Sequence, residues 1–169
     1  MLSVKTTESA PVARAEIFEL RAATPADRPA LLAMYATFEP RPGSLGLPPR
    51  YGLEQWLDRI QSFPNLLLWD RERVVGHGIL CPQDDSAEVA VFIHQEYRGR
   101  GLGTLLLSEL VQQARRMGLR RLWGMTELDN VPMLRLARSL GFVSADDPRQ
   151  FYLDLDDAQG NESGERPAA

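Results

Sequence analysis

The sequence predicts a single domain of the α/β class, in which helices pack on a β-sheet. Residues 87–93 form an apolar run, residues 98–104 a glycine-rich turn and residues 105–117 an amphipathic run. A second apolar run follows at residues 119–126. This order is strand, helix, strand, and a crossover helix makes the two strands parallel. The chain of 169 residues has room for one sizeable core rather than two domains.

The first half of the chain is predicted to contain a strand, two helices and a hairpin. Residues 17–21 alternate like a strand, and a Thr-Pro pair begins a helix over residues 24–37. Residues 39–52 are rich in proline and glycine and are typical of a loop. Helical spacing of apolar residues predicts a second helix over residues 53–60, and residues 66–80 fit a hairpin.

The second half is predicted to add two helices and two strands to the strand at residues 87–93. The buried stripe of the helix after the glycine-rich turn consists of Leu106, Leu110, Val111 and Ala114. After the strand at residues 119–126, a proline in a first helical turn begins a short helix over residues 132–139. Residues 150–155 supply the last strand, so the predicted order is β-α-α-β-β-β-α-β-α-β.

The domain is predicted to occupy residues 15–155. Residues 1–14 have a mixed composition and are expected to be flexible, and residues 156–169 are expected to form a disordered acidic tail. Five acidic residues against one arginine in residues 154–169 account for the formal net charge of −4. Because the remaining body is neutral, no nucleic-acid partner is predicted.

The cysteine, histidine and apolar residues of the sequence indicate where the protein is expected to reside and whether it is expected to bind a metal. Cys81 is the single cysteine, so no internal disulfide can form and the reducing cytoplasm is the expected location. There is no apolar signal-peptide region and no run of the roughly 20 apolar residues that a membrane helix needs. His77 and His94 have no metal-ligand spacing, so we predict no metal and expect both histidines on strand surfaces.

The glycine-rich turn predicts a phosphate-binding site. Glycines let the backbone approach a ligand closely, and the first amides of the following helix favour an anion. A dinucleotide-binding turn would need glycine or alanine where Thr104 or Leu106 stands, and a P-loop would need a lysine. The pattern that is present is R-x-x-G-x-G at residues 98–103.

Two motifs together resemble the GNAT acyltransferase superfamily. The turn Arg98-Gly99-Arg100-Gly101-Leu102-Gly103 resembles the family's pyrophosphate-binding pattern Q/R-x-x-G-x-G/A. Residues 130–142, NVPMLRLARSLGF, resemble its later N-x-x-A/M-x-x-L helix and the G-F that follows. The motifs occur in the family's order and spacing, and the resemblance covers about residues 65–155. The later motif is similar to that of bacterial Pat-type protein-lysine acetyltransferases.

The resemblance implies a GNAT-like fold, a central mixed and twisted sheet flanked by helices, with acyl-CoA in the splay between the two parallel strands. It implies acetyl-CoA as co-substrate, whose pantetheine arm would pair with backbone and reach Asn130. The implied pantetheine-pairing residues are Val91, Phe92 and Ile93. The implied diphosphate-binding residues are Arg98, Gly99, Arg100, Gly101, Leu102, Gly103 and Thr104.

The resemblance also implies transfer of an acetyl group to a primary amine, with a carboxylate as general base. Glu88 is the candidate, because five residues separate it from Ile93, about 17 Å of strand, which is comparable with a pantetheine arm. Many GNAT enzymes carry a glutamate at this position. Glu127 and Glu96 are alternative bases, and a strand-end carboxylate without a catalytic role is the alternative for Glu88.

One position departs from the family pattern. The tyrosine that commonly follows the motif asparagine by seven residues, and acts as general acid, is replaced by Ala137. A thiolate is a good leaving group, so water can supply the proton, and Tyr152 and Ser139 are weaker candidates.

The acceptor is not identified by the sequence. The loop at residues 39–49 lies where GNAT folds build the acceptor site, and both a small-molecule amine and a protein lysine stay open, as does a homodimer. The alternative to an enzyme is a catalytically degenerate sensor or interaction module that binds acyl-CoA, which the change at Ala137 would permit. The presence of Glu88 and of a complete glycine-rich turn favours the enzyme.

Overall fold

The computed structural model describes residues 17–155, which form seven strands, four α-helices and two short 3₁₀ helices. The expected flexible segment at residues 1–14 and the expected acidic tail at residues 156–169 lie outside the described residues. The strands are β1 (Glu19–Ala22), β2 (Asn65–Asp70), β3 (Arg73–Gln83), β4 (Ser86–Ile93), β5 (Arg121–Met125), β6 (Val143–Ser144) and β7 (Gln150–Asp154). The helices are α1 (Arg28–Ala36), α2 (Leu53–Ile60), α3 (Leu102–Arg116) and α4 (Val131–Ser139).

The strands form one mixed sheet in the order β1-β2-β3-β4-β5-β7-β6. Among the strands of residues 17–155, only β4 and β5 are parallel neighbours, and their pairing runs from Ser86 opposite Arg121 to Glu88 opposite Trp123. Strand β4 continues to Ile93 while β5 pairs with β7 on its other side. The predicted α/β fold with a central mixed sheet is therefore confirmed, and β4 and β5 diverge beyond Glu88.

Helices cover both faces of the sheet because the strand residues alternate between them. Ala87 and Val89 pack with α3 and α4, whereas Ile79 and Phe92 pack with α1 and α2. The predicted stripe of α3 is buried in full at Leu106, Leu110, Val111 and Ala114. Burial of this stripe fixes α3 beside the start of the divergence between β4 and β5.

Several element boundaries differ from the prediction by a few residues, and the structure adds a strand, β6, that was not predicted. Helix α3 begins at Leu102 rather than at residue 105, because Gly101 adopts a left-handed backbone with φ 78° and Leu102 packs against Leu68 and Val75. Strand β6 has only two residues and pairs with the edge of β7. A strand that short has no hydrophobic period from which it could be predicted.

The prediction that both histidines lie on strand surfaces is wrong. His94 is buried, and His77 is buried between the Tyr35 hydroxyl, 2.7 Å from Nδ1, and Asn65 Oδ1, 2.6 Å from Nε2. The Asn65 amide nitrogen donates to two carbonyls of the turn that precedes β2, which leaves Oδ1 to accept from His77. His77 is therefore neutral with its proton on Nε2, and burial lowers its pKa to about 3.

None of the helices within residues 17–155 is long and apolar enough to cross a membrane. The same residues contain no group of three or more histidine, cysteine, aspartate or glutamate side chains that could hold a metal ion.

We expect acid to destabilise the fold through His77. Below the ordinary histidine pKa of about 6.5 the unfolded chain binds a proton on this histidine and the folded protein does not. The free energy of unfolding therefore falls with falling pH, by up to about 1.4 kcal/mol per pH unit. The loss continues until the folded-state pKa of about 3 is reached. In His77→Gln this contribution disappears, whereas that of His94, whose pKa burial also lowers, is retained.

Urea unfolding followed between about pH 5 and pH 7 measures this slope. A shallower pH dependence in His77→Gln than in the unmutated protein is the expected result. Equal slopes in the two proteins would contradict the assignment of a buried, neutral His77.

Candidate active site

A cavity of about 580 Å³ opens where β4 and β5 diverge. Its walls come from β4, the glycine-rich turn with the start of α3, the end of β5 with α4, and the loop between α1 and α2. Phe151, from β7, also lines it. The cavity therefore unites the two sequence motifs with the loop that the sequence analysis linked to the acceptor.

The glycine-rich turn presents open backbone to this cavity. Gly99 and Gly101 have φ values of 77° and 78°, and a Cβ on either would meet no atom within 4 Å. The Leu105 amide donates to the Gly101 carbonyl, so the amides of the three residues between them precede the first helical hydrogen bond of α3. These residues are Leu102, Gly103 and Thr104, and all three line the cavity. No side chain caps the helix, so this end suits an anion such as a phosphate.

The two arginines of the turn have different surroundings. Arg98 lines the cavity but folds back, because Nε donates to the Ile93 carbonyl at 2.9 Å and Nη2 to the Glu39 carbonyl at 2.5 Å. Arg100 is exposed, donates to the Glu96 carbonyl and does not line the cavity. The anion-binding groups that face the cavity are thus mainly backbone amides, with Arg98 holding the turn against β4.

Fewer β4 residues have unpaired backbone groups on the β5 side than the sequence analysis expected. The His94 amide donates to the Val75 carbonyl, and alternation then directs the backbone groups of Phe92 towards β3. The backbone groups of Val91 and Ile93 point to the β5 side, where no strand pairs with them. The Ile93 carbonyl already accepts a hydrogen bond from Arg98 Nε. Val91 is therefore the residue that offers both a free amide and a free carbonyl.

Glu88 lies at the closed end of the divergence. It is the last β4 residue paired with β5, it is half-buried, and its side chain lines the cavity. Burial raises the pKa of its carboxyl group. Within residues 17–155 it has no hydrogen bond or ion pair to another side chain, so its carboxylate is available to a ligand.

The alternative bases lie elsewhere. Glu96 is exposed and pairs with Arg73 at 2.7 Å. Glu127 lies 3.7 Å from Arg149. Neither glutamate lines the cavity, which leaves Glu88 as the one carboxylate among the described residues that does.

Neither candidate acid, Tyr152 or Ser139, offers a free hydroxyl proton to the cavity, and the position of the missing tyrosine, Ala137, lies in the core. Ala137 is buried in the core with α3, and Tyr152 stacks on Arg121 at 4.4 Å, outside the cavity. Ser139 lines the cavity, but its hydroxyl donates to the Leu136 carbonyl at 2.7 Å. The tyrosine that lines the cavity is Tyr97, which sequence reasoning did not single out and whose hydroxyl donates to an aspartate of β2.

Asn130 is buried at the cavity wall and does not cap α4 with its side chain. Its amide nitrogen donates to the Thr126 hydroxyl at 2.8 Å, and Oδ1 has no partner among the described residues. A buried oxygen without a partner is unfavourable unless a ligand or water donates to it. Asn130 therefore offers an acceptor to a ligand N–H in the cavity.

Residues 39–43, which we call the strap, bridge the mouth of the cavity. At one end the Glu39 amide donates to the Gln95 side chain and its carbonyl accepts from Arg98. At the other end the Gly43 carbonyl accepts from the Thr126 hydroxyl and from the Glu127 amide, both at 3.1 Å. The strap thus connects the segment that follows β4 to the segment that follows β5, a long-range arrangement that no local sequence pattern could indicate.

Comparisons with known proteins agree with this geometry. A model of the acetyltransferase (GNAT) family matches residues 29–142. The L-methionine sulfoximine/L-methionine sulfone acetyltransferase of Salmonella typhimurium is 29% identical over 109 residues, which are 52% of this chain and 64% of the relative. The L-amino acid N-acyltransferase MnaT of Escherichia coli is 40% identical over 109 residues, 52% of this chain and 63% of the relative.

The chain thus spans less than two thirds of the length of these curated relatives. Among solved structures, yncA of Salmonella typhimurium, determined with its cofactor acetyl-CoA, has a TM-score of 0.64 at 24% identity. That comparison covers 84% of this chain and 96% of yncA, and it shows the same fold.

We expect Gly43→Ala to detach the strap. Gly43 has φ 82°, and an added Cβ would press on the Cβ atoms of Glu127 and Asn130 at 3.1 and 3.2 Å and would displace the exposed Asp129 carboxylate. Gly46→Ala is the matched control, because Gly46 has φ 77° in the same loop with open space around it. Both variants carry the left-handed backbone cost of about 1–2 kcal/mol, and only Gly43→Ala should accelerate amide hydrogen exchange in residues 39–43. The same exchange pattern in both variants would contradict the docking role of Gly43.

Proposed function

Because the chain belongs to the acetyltransferase (GNAT) family, we propose that it transfers the acetyl group of acetyl-CoA to the nitrogen of a small-molecule primary amine. One observation carries this proposal. A single cavity has uncapped helix amides at one end and an unpaired carboxylate at the other, and a free strand edge joins them.

The residues present fit acetyl-CoA. The diphosphate would lie on the amides of residues 99–104, where the turn leaves open space for it. The pantetheine arm would pair with the backbone of Val91, and Asn130 Oδ1 would accept from one of its amides. About 17 Å of extended strand separates Ile93 from Glu88, so the thioester would lie near the carboxylate.

Glu88 would act as the general base. An amine is protonated near neutral pH and attacks a thioester carbonyl only after it loses that proton. Burial raises the pKa of Glu88, which makes its carboxylate a better proton acceptor than an exposed glutamate. The departing CoA thiolate needs one proton, and water would supply it. The hydroxyl groups of Tyr97, Ser139 and Thr126, which line the cavity, already donate to protein oxygens.

The proposed acceptor is a small amine rather than a protein lysine. The curated relatives are named for L-amino acids and for L-methionine sulfoximine and sulfone. A panel of L-amino acids, amines and lysine peptides, with release of free thiol as the readout, tests this choice. Turnover with lysine peptides alone would overturn it, and intact acetyl-CoA binding without any turnover would favour a sensor.

We expect Gly101→Ala to weaken acetyl-CoA binding, with Gly118→Ala as its control. Both glycines have positive φ and open space, but Gly118 lies at the end of α3, away from the cavity. At 100 times its dissociation constant, acetyl-CoA should stabilise the unmutated protein and Gly118→Ala by about 2.7 kcal/mol against unfolding. Calorimetry should show acetyl-CoA affinity reduced at least about tenfold in Gly101→Ala, because the added methyl group takes up the space in which the diphosphate must approach the backbone. Equal affinities in the two variants would refute this location.

We expect Glu88→Gln to lower turnover about 10²-fold or more while acetyl-CoA affinity is preserved. The rate of the unmutated protein should rise with pH through a pKa above the usual glutamate range, because the carboxyl group must lose its proton to act as base. This acidic limb should vanish from the profile of the variant. Glu127→Gln, outside the cavity, is the control.

Steady-state kinetics across pH, with calorimetry for affinity, measures both effects. Unchanged turnover in Glu88→Gln would return this residue to a structural role. A large loss in Glu127→Gln would transfer the role of base to that residue.

A further inference from the structure

We propose that Arg41, on the strap, and Arg98 form a second anion site, which holds the diphosphate of CoA in addition to the glycine-rich turn. This inference rests on the proposed binding of acetyl-CoA in the cavity. It makes the strap, which lies in the loop linked to the acceptor, a part of the CoA site.

The strap presents Arg41 on stiff backbone. Pro40 and Pro42 flank it, so two neighbouring φ angles are fixed and the backbone of Arg41 is confined to extended conformations. One anchor of the strap, at Glu39, lies one residue before this tripeptide, and the other, at Gly43, one residue after it. A long, flexible side chain is thereby carried by a backbone that can move little.

Arg41 and Arg98 bring like charges together at the cavity wall. Both side chains line the cavity, and burial and then the charge of Arg41 lower the pKa of Arg98, whereas the charge of the Glu39 carboxylate raises it. Within residues 17–155 no carboxylate bonds to Arg41, and the two side-chain hydrogen bonds of Arg98 go to neutral carbonyls. Two partly buried guanidinium groups repel each other unless an anion is shared between them. The arrangement is therefore suited to an anionic ligand.

The location of Arg41 and Arg98 favours the diphosphate of CoA, rather than a carboxylate of the acceptor, as the anion bound between them. Arg98 is bonded to the Ile93 carbonyl, beside the glycine-rich turn. Glu88 is at the other end of β4, about 17 Å away along the strand. The amine and carboxylate of an α-amino acid lie a few bonds apart and cannot span that separation. An amine near Glu88 thus leaves the Arg41 end of the cavity to the phosphates.

Calorimetry with Arg41→Gln tests the proposal, and Arg50→Gln is the matched control. Arg50 is an exposed arginine of the same loop that does not line the cavity. The dissociation constant of CoA should rise about tenfold in Arg41→Gln and stay unchanged in Arg50→Gln, because a charge-assisted contact is lost only in the former. Dephospho-CoA, which keeps the diphosphate and lacks the 3′-phosphate, should show the same tenfold loss.

Hydrogen exchange supplies a readout that does not depend on catalysis. Saturating CoA should protect residues 39–43 in the unmutated protein and in Arg50→Gln, and should protect them less in Arg41→Gln. Equal CoA affinities in the two variants would overturn the proposal. So would a loss confined to CoA, which indicates the 3′-phosphate, or a rise only in the KM of the amine, which indicates the acceptor. If the unmutated protein does not bind CoA, the proposed function itself fails.

Discussion

The site depends on the end of one strand pairing. Strand β4 continues to Ile93 after its last pair with β5 at Glu88, so backbone groups that a sheet would normally bond face an open cavity. Phe151, in β7, lines this cavity, and its ring packs over Gly124 of β5, where a Cβ would lie 2.5 Å from the ring. A larger residue at position 124 would press on this ring and on the cavity wall. The small residue in β5 thus belongs to the architecture of the site as much as the glycines of the turn.

The same divergence explains why the protein needs a connection across the mouth of the cavity. Beyond Glu88 no residue of β4 pairs with β5, and the strap links the segments that follow the two strands through hydrogen bonds to their side chains and backbone. Thr126 is central, because its hydroxyl donates to Gly43 and accepts from Asn130. A loop, a strand end and a helix start are therefore coupled through one hydroxyl group, close to the buried oxygen of Asn130 that has no partner.

Local patterns in the sequence were sufficient for the four α-helices, for the strands other than β6 and for the position of the glycine-rich turn. The apolar run at residues 87–93 and the glycines after it identify the strand, turn and helix that build the site. Contacts between distant segments were beyond such patterns. Burial of His77 depends on Tyr35 and Asn65, and the strap depends on residues more than 50 positions away. The free edge at Val91 follows from pairing of β4 with β3, which hydrophobic period alone does not reveal.

Strand register sets both the distance and the orientation of the candidate base. Glu88 pairs with Cys81 on one side and with Trp123 on the other, and these two pairings fix its position along the cavity. A slip of one residue in β4 would move Glu88 to the opposite face of the sheet, among the side chains that pack on α3. Val89 would then occupy its place with no proton acceptor. The buried stripe of α3 and the buried side chains that pack with α1 and α2 both oppose such a slip. The hydrophobic core therefore determines where the carboxylate lies as well as how stable the domain is.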